Sequence, residues 1–166
     1  MRWKELDRQD CSLARTLAVI GDRWTLLILR DAFLGVRRFE DFERSLEIAR
    51  RVLSERLALL VSQKILCRIP YQERPKRYEY RLTDKGHGLY PAILSLVHWG
   101  DKFYAGKDGP PVIHTHQNCG RDFRSVVTCS ECGEPVSARE VSVRFSARRE
   151  TRRPQSPVRQ SRRTSR

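Results

Sequence analysis

Ile48-Ala49-Arg50-Arg51-Val52-Leu53-Ser54-Glu55-Arg56-Leu57-Ala58-Leu59-Leu60-Val61 is the stretch on which the fold turns. Leu53, Leu57, Leu60 and Val61 recur at helical spacing, so a helix is expected from about Ile48 to Val61. Its opposite face carries Arg50, Arg51, Ser54 and Glu55. Just upstream, Phe39, Phe42 and Leu46 line a shorter helix. Glu40, Asp41 and Glu43 crowd its first turns, where carboxylates favour the positive helix end. A brief turn around Leu46-Glu47 joins the two. Two short helices with a tight turn, the second basic on its outer face, have the geometry of a helix-turn-helix.

Outward from this pair the pattern stays helical on one side and changes on the other. Leu13, Leu17 and Ile20 share a face over about residues 11–20, and Gly21-Asp22 breaks the run. Trp24, Leu27, Ile28 and Asp31 restart it over 22–33, with Gly35 as the stop. Downstream, Ile65–Tyr71 and Arg77–Leu82 are rich in β-branched and aromatic residues, and they flank the turn-rich Gln72–Lys76. Two strands joined by a basic loop make a wing. Thr83-Asp84 then opens a long helix with Leu89, Ile93, Leu96, Gly100 and Phe103 on one face and Leu94 and Val97 beside it. That apolar arc is wider than one domain face needs, and a dimer seam would use the surplus. The expected fold is mainly α with a small β-hairpin: a winged helix-turn-helix over 9–104. A linker (105–111), a small cysteine-bearing module (112–141) and an Arg-rich tail without a core (142–166) follow.

The net charge of +13 is unevenly distributed. Residues 142–166 hold nine Arg against Glu150, and residues 37–81 hold twelve Lys or Arg against seven Asp or Glu. The remainder is neutral in sum. A local basic excess is the electrostatic footprint of a phosphate-backbone partner. On that reading Arg50, Arg51 and Ser54 face base edges, since Arg can bond guanine O6 and N7 together. Glu55 either accepts from cytosine or pairs with Arg51. Arg56 lies on the same helix and joins the DNA-binding candidates. Arg37 and Arg38 fit phosphate contacts, and Arg74, Lys76 and Arg77 fit the backbone or minor groove. There is no apolar run long enough to span a membrane and no apolar signal core at the N-terminus, so a cytoplasmic protein is expected.

Several motifs carry a resemblance. Cys11 followed by Leu17-Ala18-Val19-Ile20-Gly21-Asp22-Arg23-Trp24-Thr25-Leu26-Leu27-Ile28-Leu29-Arg30-Asp31 resembles the opening of HxlR-type (MarR-like) bacterial regulators. So do Arg37-Arg38-Phe39-x-x-Phe42 and Ile48-Ala49-x-x-Val52-Leu53-Ser54-x-Arg56-Leu57. Tyr78-x-Tyr80-x-Leu82-Thr83-x-x-Gly86 and Trp99-Gly100 match as well. The resemblance spans about residues 9–104. It implies a winged-helix homodimer, built through its first and last helices, that binds a pseudo-palindromic operator in double-stranded DNA as a repressor or an activator. Arg51 stands where the family usually has a small polar residue, and Lys64 where it usually has Gly. Some members sense oxidants or electrophiles through an N-terminal thiol at the place of Cys11. Arg8 and Arg15 nearby would favour its thiolate, while a small interface residue is the plainer role for such a Cys.

Of the other cysteines, Cys67 falls in an apolar strand and is expected in the core. Cys129-x-x-Cys132-Gly133 has the form of a zinc knuckle, and His116-x-x-Cys119-Gly120 repeats it with an imidazole. Together they make a Cys3His set suited to structural Zn2+, with His114 as the substitute for His116. A degenerate ribbon or a Cys129–Cys132 redox pair are the other readings. No phosphate loop or Ser/His/Asp arrangement marks an enzyme. The competing function is a zinc-ribbon adaptor for protein or nucleic acid that uses the winged helix as a scaffold.

Overall fold

A computed structural model describes residues 10–144, so Arg8 and nearly all of the 142–166 tail lie outside the described residues. The chain divides into two compact units after Val127, inside the segment expected to form one module. In the first unit the helices are α1 (Ser12–Ile20), α2 (Arg23–Phe33), α3 (Phe39–Leu46), α4 (Arg50–Ser62), α5 (Asp84–His87) and α6 (Tyr90–Tyr104). Strands β1 (Leu66–Glu73) and β2 (Lys76–Leu82) form an antiparallel hairpin, and β3 (Thr115–His116) pairs with β4 (Arg121–Asp122).

The core is aliphatic around one aromatic ring. Ile28 and Leu29 of α2, Phe42 of α3, and Leu53, Leu57 and Leu60 of α4 are fully enclosed, with Ile65 and Leu66 closing the base. Asp22 caps α2 by accepting from the amides of Trp24 (3.0 Å) and Thr25 (3.3 Å). Asp31 is buried, and a carboxylate there requires partners. Arg30 supplies Nε (2.8 Å) and a terminal nitrogen (2.7 Å), and the Ser45 hydroxyl donates at 2.7 Å, which ties α3 to α2.

The fourth helix starts at Arg50 rather than Ile48. Ile48 is buried and Ala49 is its extended cap, so the turn from Glu47 to Ala49 drives one side chain into the core before the helix begins. At the other end Lys64 is left-handed (φ 56°). Its amide bonds to Val61 O (3.0 Å) and that of Ile65 to Leu60 O (2.9 Å), the paired bonds of a Schellman ending. Lys therefore occupies a position that Gly fills with less strain.

The hairpin is longer than the sequence reading allowed. Only Arg74 and Pro75 lie between Glu73 and Lys76, and Tyr71 bulges between the Pro70–Tyr78 and Gln72–Arg77 pairs. Cys67 pairs with Arg81 and is half-buried rather than enclosed. Beside β2, Tyr80 donates to Arg37 O (2.7 Å) and Arg38 bridges to Glu79, so the hairpin is stitched to the entry of α3. The single helix expected from Thr83 is broken into α5 and α6. Pro91 lies in the first turn of α6 and has no amide to carry a helix through from Gly88 and Leu89. The break places Gly86 directly against the Ile65 carbonyl.

In the second unit, Thr128 bridges to Pro135 and the Cys129 amide donates to Glu134 O (2.8 Å). These bonds close a small loop on Cys129–Gly133.

Candidate nucleic-acid interface

The outer face of α4 is open to solvent. Arg50, Arg51, Ser54 and Glu55 are all exposed there. Ser54 and Ala58 line a groove together with Phe39 of α3 and Arg68 and Tyr80 of the hairpin. The middle and C-terminal half of α4 and the hairpin thus share one concave surface. Arg37, Arg74 and Arg77 are exposed and make no ion pair among the described residues. Lys76 lies 5.7 Å from the Tyr78 ring and Arg68 3.9 Å, so the wing cations rest on an aromatic face. Arg38 stacks over Tyr71 (4.6 Å) and stands 3.7 Å from Glu79. Hydrogen bonding from Arg81, reinforced by the charges of Arg81, Arg38 and Arg37, holds the Glu79 carboxyl below its ordinary range.

Not every candidate reaches this surface. Arg56 points into the domain, with Nε 3.2 Å from the Asp22 Oδ1 that also caps α2. It locks α4 to α2 instead of presenting a charge to a ligand. Helical periodicity carries no signal for this, because it places Arg56 on α4 without specifying how its long side chain is bent. Arg50 is exposed but committed, as its Nη1 meets Glu43 Oε2 at 2.8 Å and its guanidinium covers Phe39 at 4.7 Å. Arg51 pairs with Glu55 at 3.0 Å, the second of the two roles considered for that carboxylate.

The candidate metal residues form two local turns of the same kind. In the first unit, Gly120 is left-handed and donates to His116 O (2.7 Å), with His116 Nδ1 3.4 Å from Cys119 Sγ. His116 is thus the histidine beside Cys119. His114 turns to the ring of His98 (centroids 5.3 Å apart), and its Nδ1 is buried without a hydrogen-bond partner among the described residues. In the second unit, Gly133 is left-handed and donates to Cys129 O (2.9 Å). Backbone amides of Cys132 and Glu131, then the Cys132 thiol, pull the Cys129 thiol below its ordinary pKa. Among the described residues no three His, Cys, Asp or Glu gather as a metal cluster. Cys11, half-buried, stands at the N-cap position of α1, where its backbone carbonyl accepts from the Arg15 amide at 3.1 Å. The Arg15 side chain stands 3.9 Å from Asp10.

α1 and α6 leave a good deal of apolar surface open. Leu13 and Leu17 of α1 and Leu96, Trp99 and Phe103 of α6 are exposed. Trp99 packs on Phe103 and Tyr104 with ring centroids 5.3 and 5.4 Å away. Among the described residues no helix is long and apolar enough to cross a membrane.

Residues 19–108 match the family described as HxlR-like helix-turn-helix. An HTH-type transcriptional regulator of Mycobacterium tuberculosis H37Rv is 46% identical over 131 residues, 79% of this chain and 83% of the relative. The HTH-type regulator YdeP of Bacillus subtilis is 33% identical over 98 residues, 58% of this chain and 77% of its own. Among solved structures, PA1607 superposes with a TM-score of 0.75 at 34% identity, over 84% of this chain and 98% of that one. The redox regulator HypR in its reduced form superposes with a TM-score of 0.53 at 32% identity, over 55% of this chain and 92% of its own.

Proposed function

The chain belongs to the HxlR-like helix-turn-helix family of transcriptional regulators, and from that premise we propose that it acts as a homodimer on a pseudo-palindromic operator. The observation that carries this reading is the concave surface shared by α4 and the hairpin, which Arg68 lines, together with the exposed cations Arg50 and Arg51 of α4 and Arg74, Lys76 and Arg77 of the hairpin. α4 has the diameter to enter a major groove, and the wing then lies along the flanking backbone. Arg37, Arg74, Lys76 and Arg77 neutralise phosphates and fix the register, while the start of α4 meets base edges. Two copies joined through the apolar faces of α1 and α6 would bury Leu13, Leu17, Leu96, Trp99 and Phe103. Two-fold symmetry in the protein then demands two-fold symmetry in the site, with half-sites about 34–36 Å apart. Such a regulator works in the cytoplasm, where the DNA is.

Binding-site selection on random duplex DNA tests the reading. It should enrich two inverted half-sites separated by about one helical turn. Enrichment of no sequence, or of a single unpaired element, would contradict it.

Two further roles belong to the same proposal. Cys11 at the head of α1 sits where the positive end of a helix favours a thiolate. Hydrogen peroxide would convert that thiolate to a sulfenic acid and weaken operator binding. The response should vanish in Cys11→Ser, and an unchanged response would redirect attention to the other thiols. A role in binding Zn2+ is supported for each turn by itself: His116 with Cys119 at Gly120, and Cys129 with Cys132 at Gly133, each have the form of a zinc knuckle, and the Cys129 thiol is held below its ordinary pKa. When bound, the ion would supply folding energy rather than chemistry.

A further inference from the structure

Arg50 and Arg51 open the same helix, yet they are held in different ways. Arg50 gives Nη1 to Glu43 at 2.8 Å and lays its guanidinium on Phe39, so its charge and its plane are both spent on α3. The Arg51 side chain is 91% exposed, and its Nε donates to Glu55 Oε1 at 3.0 Å, a turn further along. An Arg has five donors in a rigid fork. With Nε taken by Glu55, the two terminal nitrogens remain as an end-on pair facing outward. That pair matches guanine O6 and N7.

Stability does not account for this arrangement. The first turn of α4 carries no acidic residue and two Arg, although the positive end of a helix favours anions. The Arg51–Glu55 pair also runs in the less favourable direction, with the cation nearer the N-terminus. An exposed pair of this spacing adds little to the fold in either direction. What the pair does accomplish is orientation, since the contact to Glu55 fixes Nε and leaves the terminal nitrogens of Arg51 directed away from the helix.

We infer that Arg51, steered by Glu55, specifies a guanine in each half-site, and that Arg50 is a positioning residue for the α3–α4 corner. This rests on α4 being the recognition helix. The test uses the full chain, with selection from random duplexes by the wild type, Arg51→Ala, Glu55→Ala and Arg50→Ala. Competition binding on the selected duplex, carrying each G·C pair changed to A·T, follows.

Wild-type protein should discriminate about 10- to 100-fold at one G·C pair in each half-site, the range for a bidentate contact. Arg51→Ala should lose that preference alone, with unfolding unchanged or slightly harder. Glu55→Ala should shrink it while raising affinity for nonspecific DNA, as the released fork turns to phosphate. Full discrimination by Arg51→Ala, or its loss in Arg50→Ala instead, would overturn the inference and leave the operator reading standing. Failure of the wild type to select any sequence would overturn both.

Discussion

Gly86 holds the base of the wing against the end of α4, and replacing it by alanine should be costly. An ideal Cβ there would lie 2.3 Å from Ile65 O and 3.0 Å from Leu82 Cδ2. The first contact is with backbone, so relief to an ordinary separation requires the carbonyl to move by about an ångström. That carbonyl also accepts from the Thr83 amide (3.1 Å) and hydroxyl (3.2 Å). Weakening both bonds costs about 1 kcal/mol each, and overpacking adds about 1–3 kcal/mol. The better helix propensity of Ala returns about 1 kcal/mol. Gly86→Ala should therefore destabilise the protein by about 2–4 kcal/mol, a large part of the 5–15 kcal/mol typical of a domain. Gly88→Ala is the control, because its Cβ would meet only Lys85 O at 3.4 Å and Asp84 O at 3.6 Å. Urea unfolding followed by tryptophan fluorescence should show a lower midpoint at unchanged slope for Gly86→Ala and no loss for Gly88→Ala. Wild-type stability in Gly86→Ala, or equal damage at both sites, would refute the packing argument.

Lys64→Gly should stabilise the protein by about 0.5–1 kcal/mol in the same urea assay, since relief of the left-handed strain exceeds the added chain entropy. Glu79 is held below its ordinary value of 4.5, so its contribution is present above that pH and is lost as pH falls through the lowered value. Acidification from pH 5 downward should therefore weaken wild-type stability more than that of Glu79→Gln in paired urea titrations. Trp99→Glu should weaken self-association by about 30-fold or more, in keeping with loss of a buried aromatic anchor. Sedimentation would then report monomer with a wild-type far-ultraviolet spectrum. Metal analysis of purified protein should find about one zinc per chain, lost in Cys129→Ser, and metal-free protein in both samples would end that proposal.

Much of the fold was legible because it depends on period. The spacing of Leu53, Leu57 and Leu60 and the near alternation of Arg77–Leu82 place α4 and β2 within a residue or two of where they lie. What escaped depends on single residues acting against a pattern. Pro91 interrupts an apolar period that runs on through it, so α5 and α6 read as one helix. Arg74-Pro75 makes a two-residue connection inside a stretch whose composition resembles a longer loop. Within the site, composition identified which cations are present but not their partners. Arg50 and Arg56 are chemically alike and six residues apart on one helix, yet one covers Phe39 and the other braces Asp22. Those choices are made by neighbours on α3 and at the cap of α2, which the helical period of α4 does not register. The division after Val127 escaped for a similar reason. His98 of α6 accepts from the Ser125 amide at 2.8 Å, and this bond holds 112–127 to the first unit.

Methylation interference on the selected duplex tests the central claim most directly, because it asks which groove α4 occupies. A methyl group on guanine N7 projects into the major groove, and one on adenine N3 into the minor groove. The account predicts that guanine N7 methylation in both half-sites blocks binding of the dimer. Interference confined to adenine N3, or to a single half-site, would contradict it.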